Sequence, residues 1–137
     1  MRIFIDTNIL IDFMAVRQPY YQSAAALFAL AEMHEIHLVY SSTTVANSFY
    51  ILRKSYSSNQ LAEAFENQKE VAEISGVSSS DVYAALNARW NDGEDSIQHQ
   101  SALSAECDYI LTRNKKDFDQ SSVPVMTPEE FLDKYFA

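Results

Sequence analysis

The chain has 137 residues, of which 47% are apolar and 12% aromatic, and its formal net charge is −9. This composition suffices for one buried core and excludes wholesale disorder, while two glycines and one cysteine exclude a glycine-rich phosphate loop, an intramolecular disulfide and a multi-cysteine metal cage. Such an acidic chain is a poor non-specific binder of nucleic acid, although a nucleic-acid enzyme can use carboxylates to hold cations.

The first apolar run, residues 3–5, stops at Asp6. This is too early for the apolar core of a signal peptide. No stretch approaches the roughly 18 apolar residues that a membrane span needs. We therefore expect a soluble protein of the cytoplasm, without a membrane partner.

Short apolar runs alternate with longer helical patterns, which predicts an α/β domain with a mainly parallel sheet. No repeat or low-complexity tract interrupts the chain, so we expect a single domain over residues 1–137. The apolar runs predict strands at 3–5, 37–40, 109–112 and 123–126, and a weak strand at 71–74. Between the first two strands we expect a helix opened by Pro19, and after the second a helix capped by Thr43 or Thr44 and another that starts near 57–59. Later helices are predicted to be capped within 78–80, to cover about 94–106, and to end the chain with Thr127 as N-cap.

Three carboxylates fall where chemistry collects in a parallel sheet, beyond the carboxyl ends of the strands. Asp6 follows the first strand and Asp117 follows the strand at 109–112, while Asp95, beside Glu94, begins the helix before that strand. Two like charges about 4 Å apart repel by roughly 4 kcal/mol at an effective dielectric near 20, so either a proton or a cation must relieve them. Oxygen ligands favour Mg²⁺ or Mn²⁺, the ions of phosphoryl chemistry.

These motifs together resemble those of PIN domains. The matching segments are Asp-Thr-Asn at 6–8, Glu-Asp at 94–95, and Thr-Arg-Asn-Lys-Lys-Asp-Phe at 112–118 after a strand. PIN domains are Mg²⁺- or Mn²⁺-dependent ribonucleases that include the VapC toxins of bacterial toxin–antitoxin systems. The resemblance spans nearly the whole chain and implies a three-layer α/β/α fold, hydrolysis of RNA by metal-activated water, a homodimer, and an antitoxin partner that blocks the acidic cleft.

Carried over position by position, the resemblance implies three sets of site residues. The metal-binding carboxylates would be Asp6, Asp95 and Asp117, which are also the catalytic residues, with Glu94 as a further metal neighbour. The supporting polar side chains would be Asn8, Asn47, Thr112 and Asn114. The basic residues beside the site, which would contact RNA phosphates, are Arg113, Lys115 and Lys116.

One position departs from the family pattern. Where the family usually has a glutamate in a Thr-x-Ala-Glu segment after the second strand, this chain has Asn47. An asparagine can offer its carbonyl oxygen to a cation but carries no charge, and losing a group of a metal site commonly costs 10- to 100-fold in affinity or activity. The sequence therefore also permits a second function, a PIN-like module that binds RNA or a protein partner without efficient cleavage.

Simpler roles exist for the same side chains. Asp6 could cap a helix, Glu94 and Asp95 could favour a helix start through the dipole, and Asp117 could belong to a turn. The basic residues near 113–116 could form a solvated loop. A phosphoryl-accepting domain is disfavoured, because haloacid-dehalogenase-like phosphatases need an aspartate where this chain has Asn8, and the acidic pair of receiver domains is absent.

Overall fold

A computed structural model describes all residues, Met1–Ala137, and its centre is a five-stranded sheet. The strands are β1 (Arg2–Ile5), β2 (His37–Ser41), β3 (Ala72–Ser75), β4 (Tyr109–Leu111) and β5 (Val125–Met126). They lie in the order β3-β2-β1-β4-β5, and every neighbouring pair is parallel. The first strand is therefore central, and Phe4 pairs with Val39 on one side and Ile110 on the other.

Seven α-helices connect and cover the strands. They are α1 (Thr7–Met14), α2 (Tyr21–Glu32), α3 (Ser42–Leu52), α4 (Ser58–Asn67), α5 (Ser79–Ala88), α6 (Gly93–Ser104) and α7 (Pro128–Phe136). A 3₁₀ helix, Lys115–Phe118, lies between β4 and β5. None of these helices is both long enough and apolar enough to cross a bilayer.

The alternation of side chains along β1 divides the core in two. Ile3 and Ile5 pack on one face of the sheet with Leu27 of α2 and Phe131 of α7, all fully buried. Phe4 packs on the other face with Ala102 of α6. Because successive strand residues point to opposite faces, one strand serves both clusters. The expected three-layer α/β/α architecture is confirmed.

The predicted strands and helices are present, and the terminal helix begins as predicted. Thr127 Oγ1 accepts the Glu130 N–H at 3.2 Å, and Glu130 Oε1 accepts the Thr127 N–H at 2.9 Å. This reciprocal pair is a capping box, and Pro128 occupies the first helical turn, where its missing N–H has no partner to lose.

Two predicted helix starts are wrong. Ser41, the last residue of β2, caps α3 by accepting the Thr44 N–H on its Oγ at 3.1 Å, so neither Thr43 nor Thr44 is the cap. The strand passes into the helix without a loop. Helix α2 begins at Tyr21 instead of Pro19, because the preceding residues form a turn in which the Tyr20 N–H donates to the Arg17 carbonyl at 3.1 Å.

Candidate active site

Asp6 lies at the carboxyl end of β1 and is held by two hydrogen bonds. Its Oδ1 accepts the Thr7 N–H at 2.8 Å, which makes Asp6 the N-cap of α1. Its Oδ2 accepts the Thr112 hydroxyl at 3.0 Å, which connects β1 to the end of β4. Asp6 can therefore cap α1 and also belong to a cation site, since Thr7 orients one of its carboxylate oxygens and Thr112 orients the other.

The carboxylate of Asp6 is 8% exposed, and burial raises its pKa. The hydrogen bonds from Thr7 and Thr112 oppose this rise, while the charges of Asp117 and Asp92 add to it. Burial and neighbouring carboxylates both disfavour the ionised form of an aspartate, so a nearby cation would stabilise that form.

Asp95 belongs to the first turn of α6, next to Glu94. Burial first, and then the charges of the neighbouring carboxylates Asp6, Asp92, Asp117 and Glu94, together raise the pKa of Asp95 to about 7. Burial also raises the pKa of Glu94, with the charges of Asp92 and Asp6 acting in the same direction. The structure therefore brings the predicted carboxylates of β1, α6 and the segment after β4 within electrostatic reach of each other.

Asp92 is a fifth carboxylate of this cluster, and the sequence reasoning missed it. Its Oδ1 accepts the Asp95 N–H at 3.1 Å, so it caps α6, and its charge acts on Asp6, Glu94 and Asp95. Residues 91–93 have the composition of a turn, so Asp92 was interpreted as a turn residue and not as part of the carboxylate cluster. The spacing Asp-x-Glu-Asp at a helix start is the signal that could have identified it.

Thr112 organises the segment that follows β4. Its side chain is fully buried, and while its hydroxyl donates to Asp6 it also accepts the Asn114 N–H at 3.1 Å. The Asp117 N–H then donates to the Asn114 carbonyl at 3.0 Å and starts the 3₁₀ helix. Asn114 and Asp117 are exposed, so Asp117 lies at the open side of the cluster.

A buried polar network lies beneath the carboxylates, which the sequence analysis did not predict. Gln98 Nε2 donates to Thr44 Oγ1 at 2.8 Å and to Thr7 Oγ1 at 3.0 Å, while its Oε1 accepts the Ser41 hydroxyl at 2.6 Å. The Thr7 and Thr44 hydroxyls are also 2.9 Å apart. The network joins α1, α3 and α6. The only sequence signal is spacing, since Gln98 lies one turn after Asp95.

Asn47 lies on α3, one turn beyond Thr44 of this network. Its Nδ2 is buried and has no hydrogen-bond partner. Most buried polar atoms in proteins are paired, so an orphaned amide here indicates a position suited to a further polar group. Asn8, in contrast, is exposed and its side chain makes no hydrogen bond with the carboxylates.

The three basic residues after β4 have different surroundings. Arg113 pairs with buried Asp12 and is not free at the rim. Lys115 Nζ lies 3.0 Å from Glu130 Oε2 in an exposed ion pair, and Lys116 is exposed without one. Contact of these residues with RNA stays a prediction.

The donor set fits a hard divalent cation, because it consists of carboxylate and amide oxygens that crowd one another. The side chains do not form a closed cage as they stand, since no three His, Cys, Asp or Glu residues are placed to hold a metal ion. A cation would have to draw the carboxylates together. A groove of about 790 Å³ between α2 and α4 is lined mostly by apolar side chains and contains none of these residues.

Comparison with known proteins agrees with this architecture. The PIN domain family model matches residues 2–116. Ribonuclease VapC1 of Aquifex aeolicus (strain VF5) is 24% identical over 139 aligned positions, which cover 98% of this chain and 95% of that protein.

Two solved structures are similar over most of their length. A toxin–antitoxin complex from Klebsiella pneumoniae is 25% identical with a TM-score of 0.68, covering 91% of this chain and 96% of the matched one. The VapBC2 complex of Rickettsia felis, bound to a fragment of promoter DNA, is 19% identical with the same TM-score of 0.68, covering 93% and 98%. Since the family model spans most of the sequence, this chain belongs to the PIN domain family.

Proposed function

We propose that this chain is an endoribonuclease that depends on Mg²⁺ or Mn²⁺ and acts as the toxin of a toxin–antitoxin pair. The observation that carries the proposal is the meeting of Asp6, Asp95 and Asp117 at the carboxyl ends of β1 and β4, where each charge acts on another. The relative from Aquifex aeolicus is a ribonuclease and the Klebsiella pneumoniae structure is a toxin–antitoxin complex, which supports the same assignment.

Asp6, Asp95 and Asp117 would hold the cation, with Glu94 beside them. When bound, the cation supplies a nucleophilic water at neutral pH and stabilises charge on the scissile phosphate. Asp6 is the fixed member of the set, since Thr7 and Thr112 orient both of its oxygens. Asp117 is the exposed member and faces arriving RNA, and the neighbouring Lys115 and Lys116 would contact its phosphates.

The protein partner in this proposal is an antitoxin with a basic segment. A net charge of −9 and a cluster of five carboxylates attract positive charge, and electrostatic complementarity of this kind speeds association and selects partners. We also propose a homodimer, supported by large apolar side chains left exposed on α3 and α5, namely Tyr50, Ile51, Tyr83 and Leu86.

The proposal is tested by RNA cleavage followed over time with Mg²⁺, Mn²⁺ or EDTA. Asp6→Asn keeps the size of the side chain but removes its charge, so cleavage should disappear with it. Asp119→Asn is the matched control. Asp119 is an exposed aspartate directly after the 3₁₀ helix Lys115–Phe118, and it has no role in the proposed site. Cleavage that persists in EDTA, or in purified Asp6→Asn, would overturn the proposal.

A second function is a PIN-like module that binds RNA or protein with weak cleavage or none. The neutral side chain of Asn47 favours it, because the resemblance to PIN domains implies a glutamate at this position. Asn47→Glu decides between the two functions. Cleavage that appears only in this variant supports the binding module, whereas strong cleavage by the natural chain shows that the asparagine is tolerated.

A further inference from the structure

Asp12 is a buried carboxylate for which the proposed reaction has no use. It lies on α1, is 1% exposed, and is faced by two arginines. Arg113 Nη2 donates to its Oδ1 at 3.3 Å, and Arg113 Nε lies 2.9 Å from its Oδ2. The Nε contact lacks the direction of a hydrogen bond, so charge attraction contributes much of this pairing. Arg17 Nε lies farther away, 3.6 Å from Oδ1.

Arg113 also stacks on the ring of Tyr20 through the face of its guanidinium group. The central carbon of that group lies 3.8 Å from the centre of the Tyr20 ring. A planar guanidinium can pair through its edge and stack through its face, and lysine cannot reproduce both contacts. The side chain of Arg113 is thus fixed by α1 and by the residue just before α2.

This anchor lies at one end of the segment that carries Asp117. Residues 114–117 are all exposed, so packing does not hold them. At the far end Phe118 is 1% exposed and packs in the second core cluster, with Trp90 edge-on to its ring at 6.0 Å. At the near end Thr112 and Arg113 are the last residues held by buried partners, since the ion pair between Lys115 and Glu130 is exposed. The placement of Asp117 relative to Asp6 therefore depends on these two ends.

We propose that Asp12 and Arg113 are positioning residues, which fix the 113–117 segment so that Asp117 faces Asp6 across the cation site. This inference rests on the proposed function, since it assigns Asp117 to a cation. It gives Arg113 a different role from phosphate contact. To reach a phosphate, the guanidinium would have to leave the buried Asp12 with only the more distant Arg17, 3.6 Å away, which is unfavourable.

The test compares Asp12→Asn, Arg113→Gln, the double variant and Arg113→Lys. Binding of Mn²⁺ is measured by calorimetry, and kcat and KM are measured on a labelled single-stranded RNA that the natural protein cleaves. We expect each single variant to lower cation affinity and kcat by roughly 10- to 100-fold, the usual effect of losing a partner that orients a metal ligand. The double variant should lose little more than either single one, because both remove the same contact.

Arg17→Gln is the matched control. It removes the other cation that faces Asp12, which is not attached to the 113–117 segment, and should leave cation affinity and kcat unchanged. Arg113→Lys keeps the charge but loses the stacked, two-point geometry, and should resemble Arg113→Gln. A rise in KM alone, preserved activity in Arg113→Lys, or additive losses in the double variant would overturn the pair and identify Arg113 as a phosphate contact.

Amide hydrogen exchange separates this inference from the proposed function. If the pair positions the segment, exchange of residues 113–117 becomes faster in Asp12→Asn and Arg113→Lys while exchange of β1 and α6 does not change. This holds whether or not the natural protein cleaves RNA. Absence of cleavage and of Mn²⁺ binding in the natural protein would refute the proposed function, whereas unchanged exchange in both folded variants would refute the positioning pair.

Discussion

Thr112 donates its hydroxyl hydrogen to Asp6 Oδ2 at 3.0 Å, and the two residues are 106 positions apart in the chain. The same hydroxyl oxygen accepts the Asn114 N–H at 3.1 Å. One small side chain therefore orients a carboxylate of the site and begins the segment that carries Asp117. Removing the Thr112 hydroxyl should therefore affect both the orientation of Asp6 and the position of the segment that carries Asp117.

Thr112→Val keeps the shape of this side chain and removes the hydroxyl. Asp6 then keeps a single hydrogen bond and the Asn114 N–H loses its acceptor, so we expect a loss of about 1–3 kcal/mol in the free energy of unfolding and roughly tenfold weaker Mn²⁺ binding. Urea unfolding and calorimetry measure the two effects. Thr112→Ser retains the hydroxyl and should behave nearly as the natural protein, and a similar loss in both variants would contradict the role of the hydrogen bond.

The cation-free protein should become less stable as pH rises from about 4 to 7. Burial first, and then the neighbouring carboxylates, raise the pKa of Asp95 to about 7 from its ordinary value of 3.8, so in this window the folded state holds a proton that the unfolded state has released. After allowance for partial solvent screening, we expect a total change on the order of 2 kcal/mol. Urea unfolding in EDTA across this range measures it.

Asp95→Asn provides the control for this pH dependence. It removes the titrating group, so its free energy of unfolding should change less between pH 4 and 7. Mn²⁺ should also reduce the decline in the natural protein, because a cation relieves the repulsion that grows as the carboxylates ionise. A decline of equal size in Asp95→Asn would show that another group is responsible.

His99 should contribute a pH dependence of the opposite sign. The Ser122 N–H donates to His99 Nε2 at 3.1 Å, so the neutral ring carries its hydrogen on Nδ1. Burial lowers the pKa of His99 below its ordinary value of 6.5, and the unfolded state therefore takes up a proton first as pH falls. Stability should fall below pH 6.5 and then level off.

His99→Gln isolates this contribution, because glutamine offers an oxygen acceptor for the Ser122 N–H and does not titrate. The free energy of unfolding of the natural protein minus that of this variant, followed from pH 7.5 to 4.5, should decrease as pH falls through 6.5, because only the natural protein loses stability there. The His99 ring also stacks on Trp90, with 4.9 Å between the ring centres. The variant loses this contact, so we also expect its free energy of unfolding to be lower by a constant amount at all pH values. A difference that does not vary with pH would refute the prediction.

Gln98 should be more important for stability than its polar character suggests. Gln98→Leu leaves the Thr7, Ser41 and Thr44 hydroxyls to rearrange without their shared partner. Buried hydroxyls without partners cost about 1–3 kcal/mol, so we expect a loss of roughly 2–4 kcal/mol in the free energy of unfolding. Gln100→Leu on the same helix is the control, since Gln100 makes no side-chain hydrogen bond, and its change should stay within about 1 kcal/mol.

The sequence predicted the strands well because each is a short apolar run that ends at polar residues. The predicted carboxylates were found for a related reason, since residues directly after parallel strands must meet at one edge of the sheet. Asp6 directly follows β1, whereas Asp117 lies in the 3₁₀ helix a few residues after β4. The cap of α3 was misplaced because Ser41 serves at once as the last strand residue and the helix cap, and local patterns assign a residue to one element only.

The remaining features depend on contacts between distant parts of the chain. Arg113 was interpreted as part of a basic cluster because its neighbours in sequence are lysines, whereas its partner Asp12 lies 101 residues away. Gln98 resembles an ordinary polar helix residue until α1, β2 and α3 place three hydroxyls around it. Such buried polar groups follow no periodic pattern, and their partners become known only from the tertiary structure.

The central position of β1 has a consequence for the order of events during synthesis. During synthesis β1 leaves the ribosome well before β4, which is one of its two neighbours, and Asp6 needs Thr112, which is 106 residues later. Pairing between such distant segments is slow and has to wait for the later one. A nascent chain that ends before β4 thus has neither a complete sheet nor a complete set of carboxylates. If the chain is a toxin, the cell that makes it is protected from the unfinished product.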